Sequence, residues 1–320
     1  VDYIALSFVR NADDCREAKE KIKALNKRKL GRPLLVAKIE KSEAIANLDA
    51  IIAETDGLMV ARGDLGVETS VELVPVYQKL IIEKAVSNDK FVITATQMLQ
   101  SMIDNPFPTR AEASDVANAV WDGTDAVMLS AETASGRYPV ESIKTMVRII
   151  DAAETISPAQ LKKPIKFSQE PSGRTSQALC KAAAYAAKEM MTEKVAVFTE
   201  SGLMARRLST VRSGLQTFAL TTSKDVRNQL SLIWGVRPFF HPELGLADEV
   251  ESIGDTTMFD LLRSNPDRTG DLLKVGEKTL IEAGVVAPGE TIIMMAGRLS
   301  GQRLSSSVIV WSIGEAIPKR

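Results

Sequence analysis

The chain has 320 residues and a formal net charge of -1; 45% of its residues are hydrophobic and 25% are charged. This length allows two domains with buried cores. The near-zero charge gives no electrostatic basis for binding nucleic acid or an anionic membrane. No apolar run is long enough to span a membrane and no signal peptide is recognisable. Cys15 and Cys180 fit no metal or disulfide framework, so we expect a cytoplasmic protein.

The first half of the chain alternates apolar runs with patterns of helical period. Uninterrupted apolar runs are typical of strands buried on both faces, and strands that alternate with helices predict a parallel sheet. Such a series of strand–helix units fits either an open doubly wound sheet or part of a closed (β/α)8 barrel, which needs eight units. The five predicted strands cover residues 3–8, 34–40, 57–63, 91–98 and 125–132.

Helical patterns lie between these strands. They cover residues 11–27, 71–89 and 108–123, and the last of them has Thr109 and Glu112 at the spacing of a capping box. Because the sequence itself marks the start of the last helix, it supports an alternation of strands and helices.

A change in pattern separates a second domain. Residues 157–173, which contain proline, lysine and serine, predict a linker between domains at 1–156 and 174–320. Beyond the linker, a helix is predicted over 175–191, followed by strand and helix patterns that indicate a second α/β domain. Its predicted strands cover residues 194–199, 216–221, 236–241, 290–297 and 306–313.

Polar residues follow several of the predicted strands in the first domain. Residues two apart in a strand point to the same face, and the carboxyl ends of parallel strands meet at the edge where active sites form. We therefore expect one converging group of side chains at this edge. The pairs that share a face are Lys38 with Glu40, Thr94 with Thr96 and Ser130 with Glu132, and Asp64 follows the apolar run at 57–63.

Glu40 and Asp64 are the natural candidates for a metal site. Mg²⁺ favours a few carboxylates and leaves its other positions to water and substrate oxygens. Gly63 and Gly66 flank Asp64 closely and allow the backbone N–H groups to approach an anion. The alternative is that the two carboxylates only cap the helices that follow their strands.

Lys38 lies inside an apolar strand, where a lysine is unfavourable unless it has a partner. One interpretation is a structural ion pair with Glu40 or Asp64. A second is a positive charge that stabilises a group in transfer beside Mg²⁺, and a third is the Schiff-base amine of an aldolase or lyase.

Two further features carry less weight. The tripeptide formed by Arg62, Gly63 and Asp64 has the sequence of a cell-adhesion motif, but the chain lacks secretory features. His241, the single histidine, lies beside two phenylalanines and is interpreted as a packing residue, which gives no support to histidine-based catalysis or metal binding.

The segments "AKIE", "LMVARGDLGVE" and "ATQMLQSMIDNPFPTRAEASDVANAVWDGTDAVMLSAETASGRYPVE" closely resemble pyruvate kinases, and the resemblance extends over essentially the whole chain. It implies a (β/α)8 barrel followed by an effector-binding domain. It also implies phosphoryl transfer from phosphoenolpyruvate to ADP in glycolysis, with Mg²⁺ or Mn²⁺ and with K⁺, in a homotetramer.

The resemblance implies roles for the same residues. Glu40 and Asp64 resemble the metal ligands, and Lys38 resembles the lysine that stabilises the phosphoryl group. The backbone of Gly63 and Asp64, with the Thr96 hydroxyl, resembles the seat of the substrate carboxylate. For protonation of the enolate, Thr96 and a water relay through Ser130 and Glu132 are both candidates.

Two arginines of the first domain also match the family. Arg62 and Arg110 resemble arginines near the active site or its subunit interface, and a salt bridge at the start of a helix is the alternative for Arg110.

In the second domain, the resemblance places a sugar-phosphate effector loop at Thr199, Ser201 and Gly202. Hydroxyl and N–H groups at a helix N-terminus suit a phosphate, although Glu200 adds negative charge there. Arg298 and Arg303 are candidates for a second phosphate contact. Plain connecting loops are the alternative for both segments.

The chain starts at what resembles the fourth barrel strand. The first three strands, the lid domain and the K⁺ ligands of the family have no counterpart in the sequence. We therefore expect little kinase activity from these residues alone, and open sheet edges that need a cover. The alternative function is a fragment that binds effector and makes subunit contacts without catalysis.

Overall fold

The structure is a computed structural model that describes residues 1–26, 32–156, 171–241, 268–298 and 305–315. The chain divides into two compact units, Val1–Ser168 and Gln169–Arg320. None of the described helices combines the length and the apolar character that crossing a bilayer requires. The linker predicted at 157–173 lies largely outside the described residues, so its bounds stay a prediction.

The first unit contains a five-stranded parallel sheet in which the strands follow one another in chain order. A doubly wound sheet reverses its strand order part of the way across, whereas a (β/α)8 barrel adds each strand beside the preceding one. The order therefore resolves the alternative in favour of part of a barrel. The strands are β1 (Tyr3–Leu6), β2 (Leu34–Ile39), β3 (Gly57–Ala61), β4 (Phe91–Ala95) and β5 (Ala126–Met128).

Helices connect these strands, and their ends follow the expected chemistry. Thr109 and Glu112 form the predicted capping box, and Gly123 ends the same helix with φ of 99°, a conformation that glycine adopts without strain. The helices are α1 (Ala12–Leu25), α2 (Ser42–Ala46), α3 (Leu48–Glu54), α4 (Arg62–Glu68), α5 (Val74–Ser87), α6 (Arg110–Asp122), α7 (Ala131–Ala134) and α8 (Pro139–Glu154).

The core of the first unit forms around β3. Every residue of this strand is buried, which explains its uninterrupted apolar sequence. Leu58 and Val60 pack in one cluster with Ile81 and Ile82 of α5, and all four side chains are fully buried. Burial of each such side chain contributes roughly 1.5–3 kcal/mol. This packing fixes the strand whose end carries Arg62, Gly63 and Asp64.

The second unit is a mixed five-stranded sheet in the order β10-β9-β6-β7-β8, with β10 antiparallel to β9 and the other pairs parallel. Helices again connect the parallel strands. The elements are α9 (Pro171–Glu189), β6 (Lys194–Phe198), α10 (Leu203–Thr210), β7 (Gln216–Thr221), α11 (Lys224–Leu230), β8 (Val236–Phe240), α12 (Arg268–Glu282), β9 (Thr291–Arg298) and β10 (Ser305–Ser312).

Two details of this unit were not predicted from the sequence. Helix α9 starts at Pro171, before the predicted start at 175, because proline suits the first turn of a helix, where its missing N–H has no partner to lose. Helix α12 approaches β6 closely, and a Cβ atom built on Gly276 would lie 2.5 Å from Cζ of Phe198.

Candidate active site

The candidate site lies where the parallel strands of the first unit end. Ile39 pairs with Val60 and Ala61 pairs with Ala95, so β2, β3 and β4 end at nearly the same level. The residues that follow these strands therefore share one edge of the sheet, as expected.

Lys38 and Glu40 form an ion pair at this edge. Nζ of Lys38 lies 2.6 Å from Oε1 of Glu40 and donates a hydrogen bond of 3.0 Å to Oγ of Ser7. The structural ion pair considered from the sequence is therefore present, and the two side chains share one face. Ser7 was missed by the sequence analysis, although its position directly after an apolar run was the available signal.

The Glu40 carboxylate is completely buried. The backbone N–H of Phe8 donates to its Oε2 at 2.6 Å. Its Oε1 accepts no hydrogen bond of normal geometry from the described residues, despite the nearby charge of Lys38. The Lys38 ammonium, 2.6 Å from Oε1, is the charged partner of this oxygen, and a divalent cation at Glu40 would share the carboxylate with it.

Asp64 lies in the first turn of α4 and is exposed to solvent. Neither Asp64 nor Glu40 caps a helix, because the cap positions of α4 and α2 belong to Ala61 and Lys41. The capping alternative is therefore wrong for both carboxylates. Within the described ranges, no hydrogen bond or ion pair is recorded for the Asp64 carboxylate.

This donor set fits a hard divalent cation. Glu40 and Asp64 follow neighbouring strands; the Glu40 oxygens contact the Phe8 N–H and the Lys38 ammonium, and the Asp64 carboxylate is exposed. Mg²⁺ is commonly held by one or two protein carboxylates, with water and substrate oxygens at its other positions. No larger metal-binding group of histidine, cysteine, aspartate or glutamate occurs in the parts of the chain that the structure describes.

Thr96 lies just beyond β4 in an unusual backbone conformation. Thr96 has φ of 69° and Gln97 has φ of 53°, both in the left-handed region that residues with a Cβ atom rarely adopt. The N–H of Gly63 donates to Oγ1 of Thr96 at 2.7 Å. The end of β4 is therefore tied to the first turn of α4.

The expectation that Thr94 and Thr96 share a face was wrong. Strand β4 ends at Ala95, so strand alternation does not extend to Thr96. Oγ1 of Thr94 is instead 3.1 Å from Oγ1 of Thr124 in the buried interior.

The expectation for Ser130 and Glu132 fails for a similar reason. Strand β5 ends at Met128, and Ser130 is the residue before α7, which contains Glu132. The Glu132 carboxylate is fully buried and accepts N–H groups from Leu99 at 3.1 Å and from Ser130 at 2.8 Å. It therefore links the segments that follow β4 and β5.

Arg62 is buried behind the Thr96 turn, with 8% of its surface exposed. It donates to the carbonyl oxygens of Thr96 at 2.8 Å and Gln97 at 3.3 Å. Its Nη1 also donates to Oδ1 of Asp115 on α6 at 2.8 Å. Asp115 was missed, because in the sequence it is not distinguishable from an ordinary exposed acidic residue of a helix.

Arg110 begins α6 and is exposed. Among the described residues it has no recorded ion pair, so the helix-terminal salt bridge considered for it is not observed there.

In the second unit, the loop after β6 is ordered by its own hydrogen bonds. Oγ1 of the buried Thr199 accepts the N–H of Gly202 at 3.0 Å, and Gly202 has φ of 74° directly before α10. Ser201 is exposed. Arg303 lies outside the described residues, as does the side chain of Arg298.

Two family models match this chain. The model for the pyruvate kinase barrel domain matches residues 1–143, and the model for the pyruvate kinase alpha/beta domain matches residues 177–310. The matches correspond to the two units of the structure.

Individual proteins give the same result. A pyruvate kinase of Sporosarcina psychrophila is 48% identical over 252 residues, which cover 78% of this chain and 42% of the relative. A pyruvate kinase of Mycobacterium intracellulare is 40% identical over 317 residues, which cover 98% of this chain and 60% of the relative. The chain thus spans about half the length of these curated relatives.

Solved structures agree with the sequences. The crystal structure of a pyruvate kinase from Cryptosporidium parvum superposes with a TM-score of 0.77 at 30% identity, covering 97% of this chain and 58% of that one. A Cryptosporidium parvum pyruvate kinase in complex with ADP gives a TM-score of 0.76 at 31% identity. The chain belongs to the pyruvate kinase family.

Proposed function

We propose that the protein acts as a pyruvate kinase and transfers the phosphoryl group of phosphoenolpyruvate to ADP, giving pyruvate and ATP in cytoplasmic glycolysis. The observation that carries this proposal is the placement of three charged residues at one edge of the parallel sheet: the buried Glu40 carboxylate, ion-paired with Lys38 at 2.6 Å, follows β2, and the exposed Asp64 follows the neighbouring strand β3. Two carboxylates beside an ammonium group support a site for a divalent cation and a phosphoryl group.

Glu40 and Asp64 are the residues that we assign to Mg²⁺ or Mn²⁺. A divalent cation at such a site supplies positive charge to the oxygens of the substrate and of the group in transfer. The hydrogen bond from the Phe8 N–H to Oε2 fixes the Glu40 carboxylate, so that its Oε1 keeps one direction. K⁺ is part of the family's chemistry, and we assign it no ligands in this chain.

Lys38 provides a second positive charge for the phosphoryl group. Phosphoryl transfer depends mainly on positioning and on charge stabilisation, and an ammonium group held by both Ser7 and Glu40 is already oriented. Nζ of Lys38 is engaged with the Glu40 carboxylate 2.6 Å away, whereas a Schiff base requires this nitrogen to be free to attack a carbonyl carbon. This favours phosphoryl transfer over the aldolase or lyase interpretation.

Gly63, Asp64 and Thr96 form the proposed seat of the substrate carboxylate. The N–H groups of the first turn of a helix have no partner within the helix and favour an anion. The hydrogen bond between the Gly63 N–H and the Thr96 hydroxyl keeps these groups together before substrate binds.

For protonation of the enolate we favour Thr96 over a relay through Ser130 and Glu132. Both oxygens of Glu132 already accept backbone N–H groups, which supports a structural role for this carboxylate. The Thr96 hydroxyl accepts the Gly63 N–H at 2.7 Å and donates to the Ala95 carbonyl oxygen at 2.6 Å, so it would have to turn from Ala95 to give its proton to the enolate carbon and then take a proton back from water.

Effector binding and assembly belong to the same proposal. Thr199, Ser201 and Gly202, with Arg303, are the residues that we assign to a sugar-phosphate effector. The ordered turn between Thr199 and Gly202 supports this assignment. We expect the complete protein to be a homotetramer.

The test is a coupled assay of ATP formation from phosphoenolpyruvate and ADP, made on the natural polypeptide that contains this sequence. Lys38→Met should lower kcat by about 100-fold or more, the size expected when a group that stabilises transition-state charge is removed. Lys84→Met is a matched control, because Lys84 pairs with the exposed Asp49, and it should keep wild-type activity. Equal activity of the wild type and a folded Lys38→Met variant would contradict the proposal.

A further inference from the structure

The turn formed by Thr96 and Gln97 is held in an unfavourable backbone conformation. Two successive residues with a Cβ atom have positive φ, 69° and 53°. Left-handed conformations usually occur singly and mainly at glycine, asparagine or aspartate. Such a turn persists only when contacts with the surrounding structure stabilise it. These contacts therefore determine where the Thr96 hydroxyl lies.

Arg62 makes those contacts from behind the turn. Its Nη2 donates to the carbonyl oxygen of Thr96 at 2.8 Å and to that of Gln97 at 3.3 Å, and it lies 2.8 Å from Sδ of Met98. Its Nε donates to the same Thr96 oxygen at 3.2 Å. One planar guanidinium therefore contacts three successive residues, which a lysine could not do with the same geometry.

Asp115 fixes this guanidinium in turn. Oδ2 of Asp115 lies 2.6 Å from Nη1 of Arg62, and Oδ1 accepts a hydrogen bond from the same nitrogen at 2.8 Å. Gln78 Oε1 is a weaker acceptor at 3.3 Å. Among the described residues, Asp115 supplies the carboxylate recorded in contact with Arg62, and a charge that is 8% exposed needs such a partner.

We propose that Asp115 is a positioning residue, which acts through Arg62 to hold the Thr96–Gln97 turn and thereby the Thr96 hydroxyl against the Gly63 N–H. Asp115 lies on helix α6, and the capping box of Thr109 and Glu112 fixes the start of that helix. The catalytic meaning rests on the proposed function, in which Thr96 contacts the substrate. The positioning itself is a property of the folded chain.

The first measurement does not need turnover. The Asp115→Asn variant should exchange its Gly63 amide hydrogen about tenfold faster than the wild type, as measured by NMR. This factor corresponds to an intermediate coupling free energy between residues in contact. The amide signals of Thr96 and Gln97 should shift. Asp49→Asn is the matched control, because it removes the charge of an ion pair with Lys84 in the same unit and should change none of these signals.

A second pair of variants separates positioning from general loss of stability. Asp115→Glu keeps the charge and should recover most of the Gly63 protection. Gln97→Gly removes the steric cost of a positive φ at position 97. The acceleration of Gly63 exchange by Asp115→Asn should therefore be smaller in that background. An equal effect in both backgrounds would overturn the proposal, and so would unchanged Gly63 exchange in a folded Asp115→Asn variant.

Kinetics on the natural polypeptide complete the test. Asp115→Asn should lower kcat more than it raises KM for ADP, because the proposed role of Thr96 is at the substrate carboxylate and the enolate, and Asp115→Glu should restore kcat. If the wild type transfers no phosphoryl group while the exchange results hold, the proposed function fails and the positioning stands. If the wild type is active and the exchange results fail, the positioning proposal is wrong.

Discussion

Lys38 and Glu40 depend on each other at the scale of single residues. The Glu40 carboxylate is fully buried, so removal of the Lys38 ammonium leaves a buried charge whose hydrogen-bond donor, within the described part of the chain, is the Phe8 N–H. We expect Lys38→Met to lower the free energy of unfolding by about 2 kcal/mol, within the range for a buried polar group that loses its partner. Urea denaturation measures this loss, and a variant as stable as the wild type would contradict it.

Cys15 offers a second prediction at this scale. Its side chain is fully buried in the first core, and burial, followed by the charge of Asp14, raises the pKa of its thiol to about 11. Only the thiolate reacts readily with disulfide reagents. The thiol should therefore be inert to such a reagent at pH 7 in the native protein and react after unfolding. Rapid labelling of native Cys15, identified by peptide mass, would show that the core opens.

The site residues that sequence could identify were those with a chemical signature. Glu40, Asp64 and Lys38 stood out as charges at the ends of apolar runs. Asp115 could not be recognised, because its role depends on a buried arginine of another element. The environment of Thr96 could not be predicted either, since the left-handed turn is set by tertiary contacts of Arg62 and not by local sequence.

At the scale of elements, the capping box of α6 leads to a prediction on pH. Burial alone would raise the pKa of Glu112, but hydrogen bonds from Ser101 and Thr109 outweigh it and hold this pKa below its ordinary value of 4.5. A carboxyl whose pKa is lowered by folding stabilises the native state above its unfolded pKa, and this contribution is lost as the pH falls through the folded pKa.

The corresponding experiment compares the wild type with Glu112→Gln. The variant should lose about 1 kcal/mol at pH 7, the usual value of a helix cap. The difference in Tm between the two proteins should shrink as the pH is lowered below 4.5. A difference that grows toward low pH would contradict the sign of the pKa shift.

The packing of α12 on β6 gives another prediction about an element. Alanine normally stabilises a helix by up to about 1 kcal/mol relative to glycine. At Gly276, however, the new Cβ would lie 2.5 Å from Cζ of Phe198, whose ring is buried. Gly276→Ala should therefore destabilise the protein by about 1–3 kcal/mol, as overpacked cores do.

Gly66 in α4 is the matched control for this substitution. Its Cβ would lie 3.4 Å from Cγ2 of Val74, an ordinary contact. Gly66→Ala should be neutral or slightly stabilising in thermal unfolding. Equal losses for the two variants would mean that close approach to Phe198 is not what requires glycine at position 276.

At the scale of the whole molecule, alternation of strand and helix predicted both α/β units. The pattern alone could not choose between an open sheet and part of a barrel, because both use the same local units. The order of the strands in the sheet distinguishes the two folds. That order depends on pairing between residues far apart in the sequence. Strand ends were misjudged at β4 and β5, because the chain leaves the strand at Ala95 and Met128, before the polar residues that the sequence analysis included in it.

The most direct test of the central claim is a titration of the protein with Mn²⁺, followed by electron paramagnetic resonance. If Glu40 and Asp64 hold the divalent cation of a phosphoryl-transfer site, the wild type should bind Mn²⁺ saturably. Glu40→Gln and Asp64→Ala should both lose that binding, and Asp49→Ala, which removes an exposed carboxylate of the same unit, should retain it. Wild-type affinity for Mn²⁺ in a folded Asp64→Ala variant, or no binding by the wild type, would contradict the account.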